Sequence, residues 1–166
     1  MRPLEVSAVA DYNLVLDSKS LTTLKKQYPD CSFVTTGWFV REQFEKPYSL
    51  ARFRKKYAVA NGFFHILIVS GSEGTSAVVK ILPSLLKINE QVVITVACGK
   101  SRLLKEQVQL IAKFVQKIAP NIEIRTLLFT KKIHEHMRSA DLVIGKAGPN
   151  TLFETVATQT PFFAIT

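Results

Sequence analysis

From residue 63 onward, apolar β-type runs alternate with helical patterns, and this alternation constrains the fold more than any other feature of the chain. The apolar runs are FFHILIVS, QVVITVACG, NIEIRTLLF, DLVIG and PFFAIT, and a helical pattern separates each run from the next. Runs that are apolar at nearly every residue indicate strands buried on both faces, as in parallel sheets covered by helices. The order βαβαβαβαβ therefore predicts an α/β protein with a Rossmann-like, doubly wound parallel sheet.

Before this alternation, the strand-like and helix-like stretches are short and follow no regular order. A strand-like YNLVL, a helix-like SKSLTTLKKQYPD and a strand-like SFVTT precede a loop and the basic stretch ARFRKKYAVANG. The Asn61-Gly62 pair is a turn signal. We therefore expect a boundary there, with residues 1–60 forming one part and residues 61–166 forming the Rossmann-like domain.

Two helical patterns in the second part carry specific expectations. SRLLKEQVQLIAKFVQKIA predicts an amphipathic helix. Its apolar residues at helical spacing are Leu103, Leu104, Val108, Ile111, Ala112, Val115 and Ile118. The pattern before it, TSAVVKILPSLLK, contains Pro83, which can kink a helix.

Composition and charge narrow the class of partner. With 47% hydrophobic and 21% charged residues among 166, the chain is not wholly disordered and can bury a core. A formal charge of +9 invites an anionic partner, whether nucleic acid, acidic membrane or phosphorylated substrate. Cys31 and Cys98 match no metal or disulfide spacing, and neither a signal peptide nor a membrane-spanning run is visible. We expect a cytoplasmic protein that can associate peripherally with a membrane.

Ligands of doubly wound sheets bind outside the carboxyl ends of the strands, so the loops there are candidate sites. The loop Ser70-Gly71-Ser72-Glu73-Gly74 lies between a strand and a helix, where glycines and free helix N–H groups can hold a phosphate. The alternative is an ordinary strand-to-helix turn. In the next loop, Lys100 could reach a phosphate, or it could be a solvated lysine beside a Ser101 helix cap.

The loop after DLVIG is the most informative. It reads Gly145-Lys146-Ala147-Gly148-Pro149-Asn150-Thr151 and leads into Leu152-Phe153-Glu154. Pro149 suits a helix start, and Asn150 or Thr151 could cap that helix. Glu154 could accept hydrogen bonds from the ribose hydroxyls of a nucleotide, or it could close a capping box with Thr151. Two anion-binding loops and one such carboxylate suggest a nucleotide diphosphate ligand.

The same residues resemble a known family. The stretch SADLVIGKAGPNTLFETVATQTPFFAIT is similar to the signature of the MurG-like and monogalactosyldiacylglycerol-synthase-like glycosyltransferases (glycosyltransferase family 28, C-terminal domain). VSGSEGTSA, VACGKSRLL and VTTGWFVR match further family segments in the same order. The resemblance covers roughly residues 11 to 166.

The resemblance implies a nucleotide-sugar-binding domain, the donor half of a GT-B fold. By motif position, Glu154 would bind the ribose hydroxyls and Arg41 would reach the nucleotide. The remaining implied roles fall to sets of residues: Gly148, Pro149, Asn150 and Thr151 hold the diphosphate; Ser70, Gly71, Ser72 and Gly74 face the phosphates and the acceptor; Phe129 and Thr130 contact the base, usually uracil.

The resemblance further implies transfer of a hexosyl or N-acetylhexosaminyl group from a UDP-sugar to an acceptor hydroxyl, lipid-linked or on a glycan, with no cofactor and no metal. The family's acceptor-binding domain, which supplies the catalytic base, is almost absent. Residues 1–60 would be its remnant with the interdomain linker. We therefore assign no catalytic residue and expect a fragment or a half-enzyme. The alternative is a non-catalytic nucleotide-sugar-binding subunit that needs a membrane partner.

Two other segments invite site hypotheses. His134-Glu135-His136 could suggest a metal, but histidines two apart on a helix point to different faces. The basic residues Arg52, Arg54, Lys55 and Lys56 could bind nucleic acid, attract an anionic membrane, or form a solvated helix face. Because no nucleic-acid motif is present, we expect no nucleic-acid partner. Besides the UDP-sugar donor and the acceptor substrate, the possible partners are a protein that supplies the acceptor domain and an anionic membrane surface.

Overall fold

A computed structural model describes residues 6–74 and 77–165 of the chain. The residues group into two compact units, Met1–Phe39 and Val40–Thr166. The first unit holds strand β1 (Asn13–Val15), helix α1 (Ser18–Gln27) and strand β2 (Phe33–Thr35), and the two strands pair in parallel. Asp17 caps α1 by accepting the N–H of Ser20 at 2.8 Å.

The second unit contains the predicted α/β alternation. A short 3-10 helix (Glu42–Phe44) precedes ten helices and strands. They are α2 (Leu50–Lys56), β3 (Phe64–Val69), α3 (Ala77–Leu85), β4 (Val92–Ala97), α4 (Arg102–Ile118), β5 (Ile122–Leu127), α5 (Ile133–Ser139), β6 (Leu142–Lys146), α6 (Pro149–Ala157) and β7 (Phe162–Ile165). Pro83 lies inside α3, whose predicted first residues, Thr75 and Ser76, fall outside the described part of the chain.

The five strands β3 to β7 form one parallel sheet in the order β5-β4-β3-β6-β7. Helices cover both faces, since the core on one side includes residues of α3 and α4 and the core on the other includes Phe44 and residues of α5. The prediction of a doubly wound parallel sheet is therefore confirmed. The chain runs outward from β3 to β5 and then returns to place β6 on the other side of β3. The loops after β3 and β6 consequently diverge at the carboxyl edge, which is where such sheets bind ligands.

The boundary predicted near residue 60 differs from the division into compact units, which falls between Phe39 and Val40. Residues 40–60 group with the sheet because α2 is tied to it. Arg54 donates to the Asp141 carboxylate at 2.8 Å, and Lys56 and Tyr57 both bond the Glu135 carboxylate. A solvated helix face is thus an incomplete description of this basic segment, since two of its four cations form ion pairs within the unit.

The predicted amphipathic helix is present as α4, but the sheet covers only part of its apolar residues. Leu104, Val108 and Val115 are buried against the sheet, but Leu103 and Ile118 are exposed to solvent. The apolar residues of the sequence pattern thus form two adjacent stripes on the helix. The stripe with Leu104, Val108 and Val115 packs on the sheet, and the other is exposed.

Candidate functional site

A cleft of about 390 Å³ lies at the carboxyl edge of the sheet, within the second unit. Loops after four strands converge on it, and the 3-10 segment closes one side. The lining residues are Arg41, Val69, Gly71, Ser72, Ala97, Gly99, Leu128, Phe129, Thr130, Ile133, Met137, Gly148, Pro149, Asn150, Thr151 and Glu154. The cleft therefore sits beside the β3–β6 switch point expected for a ligand.

The start of α6 leaves backbone donors open toward the cleft. Gly148 is the N-cap residue, with an extended backbone (φ −79°, ψ 145°) and no side chain to cap the helix, and Pro149 occupies the first helical position. The helical ladder begins with the Leu152 N–H, which donates to the Gly148 carbonyl at 3.0 Å. The N–H groups of Asn150 and Thr151 precede that bond and have no partner in the helix.

This geometry corrects one expectation. Neither Asn150 nor Thr151 caps the helix, because both lie in its first turn, after the Gly148 cap. A capping box with Thr151 is likewise wrong, since that motif needs Thr151 at the cap position. The partial positive charge at this helix start, together with its open N–H groups, suits an anion.

Glu154 faces the cleft one turn further along α6 and pairs with Arg41. Arg41 Nη2 donates to Glu154 Oε1 at 2.9 Å, and the Glu154 side chain is 15% exposed against 53% for Arg41. Burial raises the pKa of Glu154 above its ordinary value, while Arg41 opposes that shift. The Arg41 guanidinium also lies 5.0 Å from the ring centroid of the fully buried Phe44, so the 3-10 segment positions the arginine beside the carboxylate.

The loop after β5 supplies an exposed aromatic ring. Phe129 is 59% exposed, and its N–H donates to the Gly99 carbonyl at 2.8 Å, which fixes the loop against the end of β4. Thr130 Oγ1 accepts the N–H of Lys132 at 3.0 Å just before α5 begins. Both residues line the cleft on the side of β5.

The residues predicted in the loop after β3 line two neighbouring cavities, of which this cleft is one. Gly71 and Ser72 line the cleft, whereas Ser70 and Gly74 line only a second cavity of about 540 Å³ on the other side of the loop. The Ser70 hydroxyl donates to the Ala97 carbonyl and is used to hold two strand ends together. Gly74 adopts φ +78° and packs against Ser101, where a side chain would collide.

Lys100 lies outside the cleft. Its Nζ pairs with Glu73 Oε1 at 3.1 Å, and both side chains are largely exposed. Exposed ion pairs of this kind contribute little. The placement agrees with the alternative of a solvated lysine, and Ser101 caps α4 as expected by accepting the Leu104 N–H at 3.1 Å.

Several residues that line the cleft were not predicted as site residues from the sequence. Val69, Ala97 and Leu128 end the apolar runs, and Ile133 and Met137 stand one turn apart on α5. Nothing in their pattern distinguishes them from core residues. Gly99 did carry a signal, as a glycine directly after a buried strand. A Cβ there would stand 2.4 Å from the carbonyl oxygens of Gly71 and Ser72, and its φ is +59°, so the loops approach only because the residue is glycine.

The two histidines of the His134-Glu135-His136 motif diverge. His134 packs edge-on against Phe44, and His136 lies against Tyr57 with ring centroids 3.9 Å apart. Across residues 6–74 and 77–165, no group of three or more His, Cys, Asp or Glu side chains could hold a metal ion. In the same residues, no helix has both the length and the apolarity needed to span a membrane.

The chain has relatives of known name that are similar to it in sequence. The chain is 34% identical over 126 residues to the processive diacylglycerol beta-glucosyltransferase of Bacillus licheniformis, covering 76% of this chain and 32% of that protein. It is 32% identical over 130 residues to the UDP-N-acetylglucosamine--N-acetylmuramyl-(pentapeptide) pyrophosphoryl-undecaprenol N-acetylglucosamine transferase of Campylobacter jejuni subsp. doylei, covering 71% of this chain and 34% of that protein. The chain thus spans about a third of the length of these curated relatives.

Solved structures share the fold. Acinetobacter baumannii MurG matches 95% of this chain and 40% of its own, with a TM-score of 0.58 and 23% identity. Anabaena Alr3699/HepE, solved in complex with UDP-glucose, matches 93% of this chain and 44% of its own, with a TM-score of 0.56 and 19% identity. These likenesses place the sheet in the GT-B fold. The model of the glycosyltransferase family 28 C-terminal domain matches residues 65–166, and the chain therefore belongs to that family.

Proposed function

We propose that the cleft binds the nucleoside diphosphate of a UDP-sugar and that the chain is the donor-binding half of a glycosyltransferase. The observation that carries the proposal is the juxtaposition of Glu154, paired with Arg41, and the open N-terminus of α6 in one cleft. A nucleotide diphosphate offers an anion and a vicinal diol at neighbouring positions. The helix start matches the first group and the carboxylate matches the second.

The phosphates would lie at the start of α6. The N–H groups of Asn150 and Thr151 have no partner in the helix and can donate to phosphate oxygens. The partial positive charge of the helix end would offset phosphate charge without a metal. Gly148 leaves the space above these donors clear, since a Cβ at that position would meet no atom within 4 Å. Gly71 and Ser72 form the opposite wall.

The ribose and base would extend from the phosphates toward Glu154 and Phe129. Arg41 engages Glu154 Oε1, and no described residue donates to Oε2, which can accept a ribose hydroxyl. The exposed Phe129 ring offers a stacking surface, and aromatic rings stack on bases of any sequence. Thr130 supplies a neighbouring backbone and hydroxyl to the base edge, in the position that the family resemblance assigns to it.

The reaction is proposed from the relatives. Those matched in sequence are named for the transfer of glucose to diacylglycerol and of N-acetylglucosamine to N-acetylmuramyl-(pentapeptide) pyrophosphoryl-undecaprenol. We extend to this chain the transfer of a hexosyl or N-acetylhexosaminyl group to a lipid-linked hydroxyl, and an acceptor-binding partner domain would supply the base. A non-catalytic binding subunit is the second candidate, because the one carboxylate among the lining residues, Glu154, is committed to Arg41.

Calorimetric titration of the purified chain with UDP tests the binding proposal. Glu154→Ala should weaken UDP binding by about 1–3 kcal/mol, which is roughly 5- to 150-fold, because it deletes the buried acceptor of the ribose hydroxyls. Glu90→Ala is the matched control, since Glu90 is exposed at the opposite edge of the sheet. Equal UDP affinity in the wild type and Glu154→Ala would overturn the assignment. Sugar turnover by the purified chain alone would exclude the non-catalytic alternative.

A further inference from the structure

Helix α4 carries a stripe of apolar side chains that the sheet does not cover. Leu103, Leu110, Phe114 and Ile118 are 66%, 67%, 61% and 56% exposed. At 100° per residue these four positions fall within about 80° of one another, and they extend about 22 Å along the helix. We call these four residues the α4 stripe. It adjoins the buried face made by Leu104, Val108 and Val115.

The surroundings of the α4 stripe are basic. At 100° per residue, Arg102, Lys113 and Lys117 lie along the solvent-side border of the stripe. One acidic residue, Glu106, lies on the same border, whereas Lys105 lies on the far side of the helix. Lys113 and Lys117 are exposed and flank Phe114 and Ile118 on the solvent side. Within the described residues, neither lysine takes part in an ion pair. An apolar surface bordered by free cations is complementary to an apolar surface bordered by anions.

From these observations we infer that the α4 stripe is a docking surface for an anionic lipid bilayer. Its size favours a bilayer over a protein partner. At roughly 200 Å² for a large side chain, four side chains exposed to this degree offer about 500 Å², whereas stable protein interfaces bury about 800 Å² on each partner. Membrane adsorption needs only a few inserted apolar side chains together with electrostatic attraction.

The charges argue further against a second copy of the chain. In a two-fold symmetric dimer, each stripe would face its own counterpart. Each border carries Lys113 and Lys117 against the single acidic residue Glu106, so the two borders would meet with a net excess of positive charge. Long lysine side chains beside an apolar surface are instead suited to reach the headgroup layer while the stripe enters the lipid.

The basic segment on α2 is a weaker candidate for the same role. Arg54 and Lys56 are already paired with Asp141 and Glu135, and the aromatic Phe53 packs against Tyr48. Helix α2 packs on α5, whereas α4 packs in the core on the opposite side of the sheet. The two helices therefore cannot lie on one flat membrane through the same face.

Flotation of the chain with lipid vesicles tests the inference. Vesicles that mix phosphatidylglycerol with phosphatidylcholine should bind the chain, and phosphatidylcholine vesicles should bind it at least about tenfold more weakly. Lys113→Glu with Lys117→Glu should lower the binding by about 25-fold or more, at about fivefold for each lysine lost. Leu110→Ser with Phe114→Ser should reduce it at least about tenfold, because the inserted apolar surface is removed.

Arg52→Glu with Lys55→Glu makes the same change of charge on α2 and serves as the matched control, which should retain most of the binding. All substituted side chains are exposed, and an unchanged circular dichroism spectrum would verify folding. Absence of preferential binding to anionic vesicles, or equal loss in the α2 control, would overturn the inference. So would a dimer that Leu110→Ser with Phe114→Ser dissociates. The inference does not depend on nucleotide binding, because vesicle flotation is measured without UDP.

Discussion

Replacing Gly148 with serine tests how the start of α6 is used. Gly148 is the N-cap residue, and its backbone has the extended conformation that N-cap residues adopt. A serine there would accept the N–H of Asn150 or Thr151 through its own hydroxyl, because that is what N-cap serines do. The variant therefore supplies from the protein the acceptor that, in our account, a ligand phosphate supplies.

The expected effects on stability and on binding have opposite signs. Serine is at least as good a cap as glycine, by a few tenths of a kcal/mol, and a Cβ at this position meets no atom within 4 Å. The melting temperature should therefore stay equal or rise slightly. A hydrogen bond to a charged group contributes about 1.5–3 kcal/mol, so the loss of one donor should weaken UDP binding about 10- to 150-fold.

Calorimetric titration with UDP and thermal unfolding followed by circular dichroism measure the two effects on the same samples. Gly148→Ala is the companion variant, because it adds the methyl group without the hydroxyl. It should weaken binding less than Gly148→Ser does. Unchanged UDP affinity in Gly148→Ser would refute the placement of the phosphates at α6, and a melting temperature lowered by several degrees would show that the position is not open.

Two further predictions concern the stability of the second unit. Gly99→Ala should lower the free energy of unfolding by about 2–4 kcal/mol, since its Cβ would collide with the backbone of Gly71 and Ser72 at a left-handed position; an unchanged melting temperature would count against this. Burial lowers the pKa of His136 from 6.5 to about 4, so between these pH values the unfolded chain binds a proton that the folded chain does not. The free energy of unfolding should fall by about 3 kcal/mol as the pH drops through that window, and His136→Phe, which keeps a ring against Tyr57, should flatten the dependence in urea unfolding. A slope equal to that of the wild type would contradict the reasoning.

Features of the fold that depend on local pattern could be predicted from the sequence. The apolar runs and the helical patterns between them determine the parallel sheet, because burial on both faces requires helices on both sides. The presence of a cleft at the carboxyl edge follows from the same order. His65, inside the first apolar run, is buried with Nδ1 at 2.9 Å from the Ser139 carbonyl and Nε2 at 2.9 Å from Thr95 Oγ1.

Features that depend on the start of a helix or on long-range pairing could not be predicted from the sequence. Whether Asn150 caps α6 or lies in its first turn depends on a shift of two residues in the helix start, which the sequence does not define. The ion pair of Arg41 with Glu154 joins residues 113 positions apart. The exposure of the α4 stripe depends on how much of the helix the sheet can cover, which is a property of the packed layers and not of the helix.

A titration of the ¹⁵N-labelled chain with UDP, followed by amide resonances, tests the central claim most directly. We predict the largest shifts at the N–H groups of Asn150, Thr151 and Phe129, with slowed exchange at the first two, and no shift around Glu90 at the opposite edge. Saturable shifts confined to α2, or no shift at any UDP concentration, would contradict the claim that this cleft is a nucleotide site.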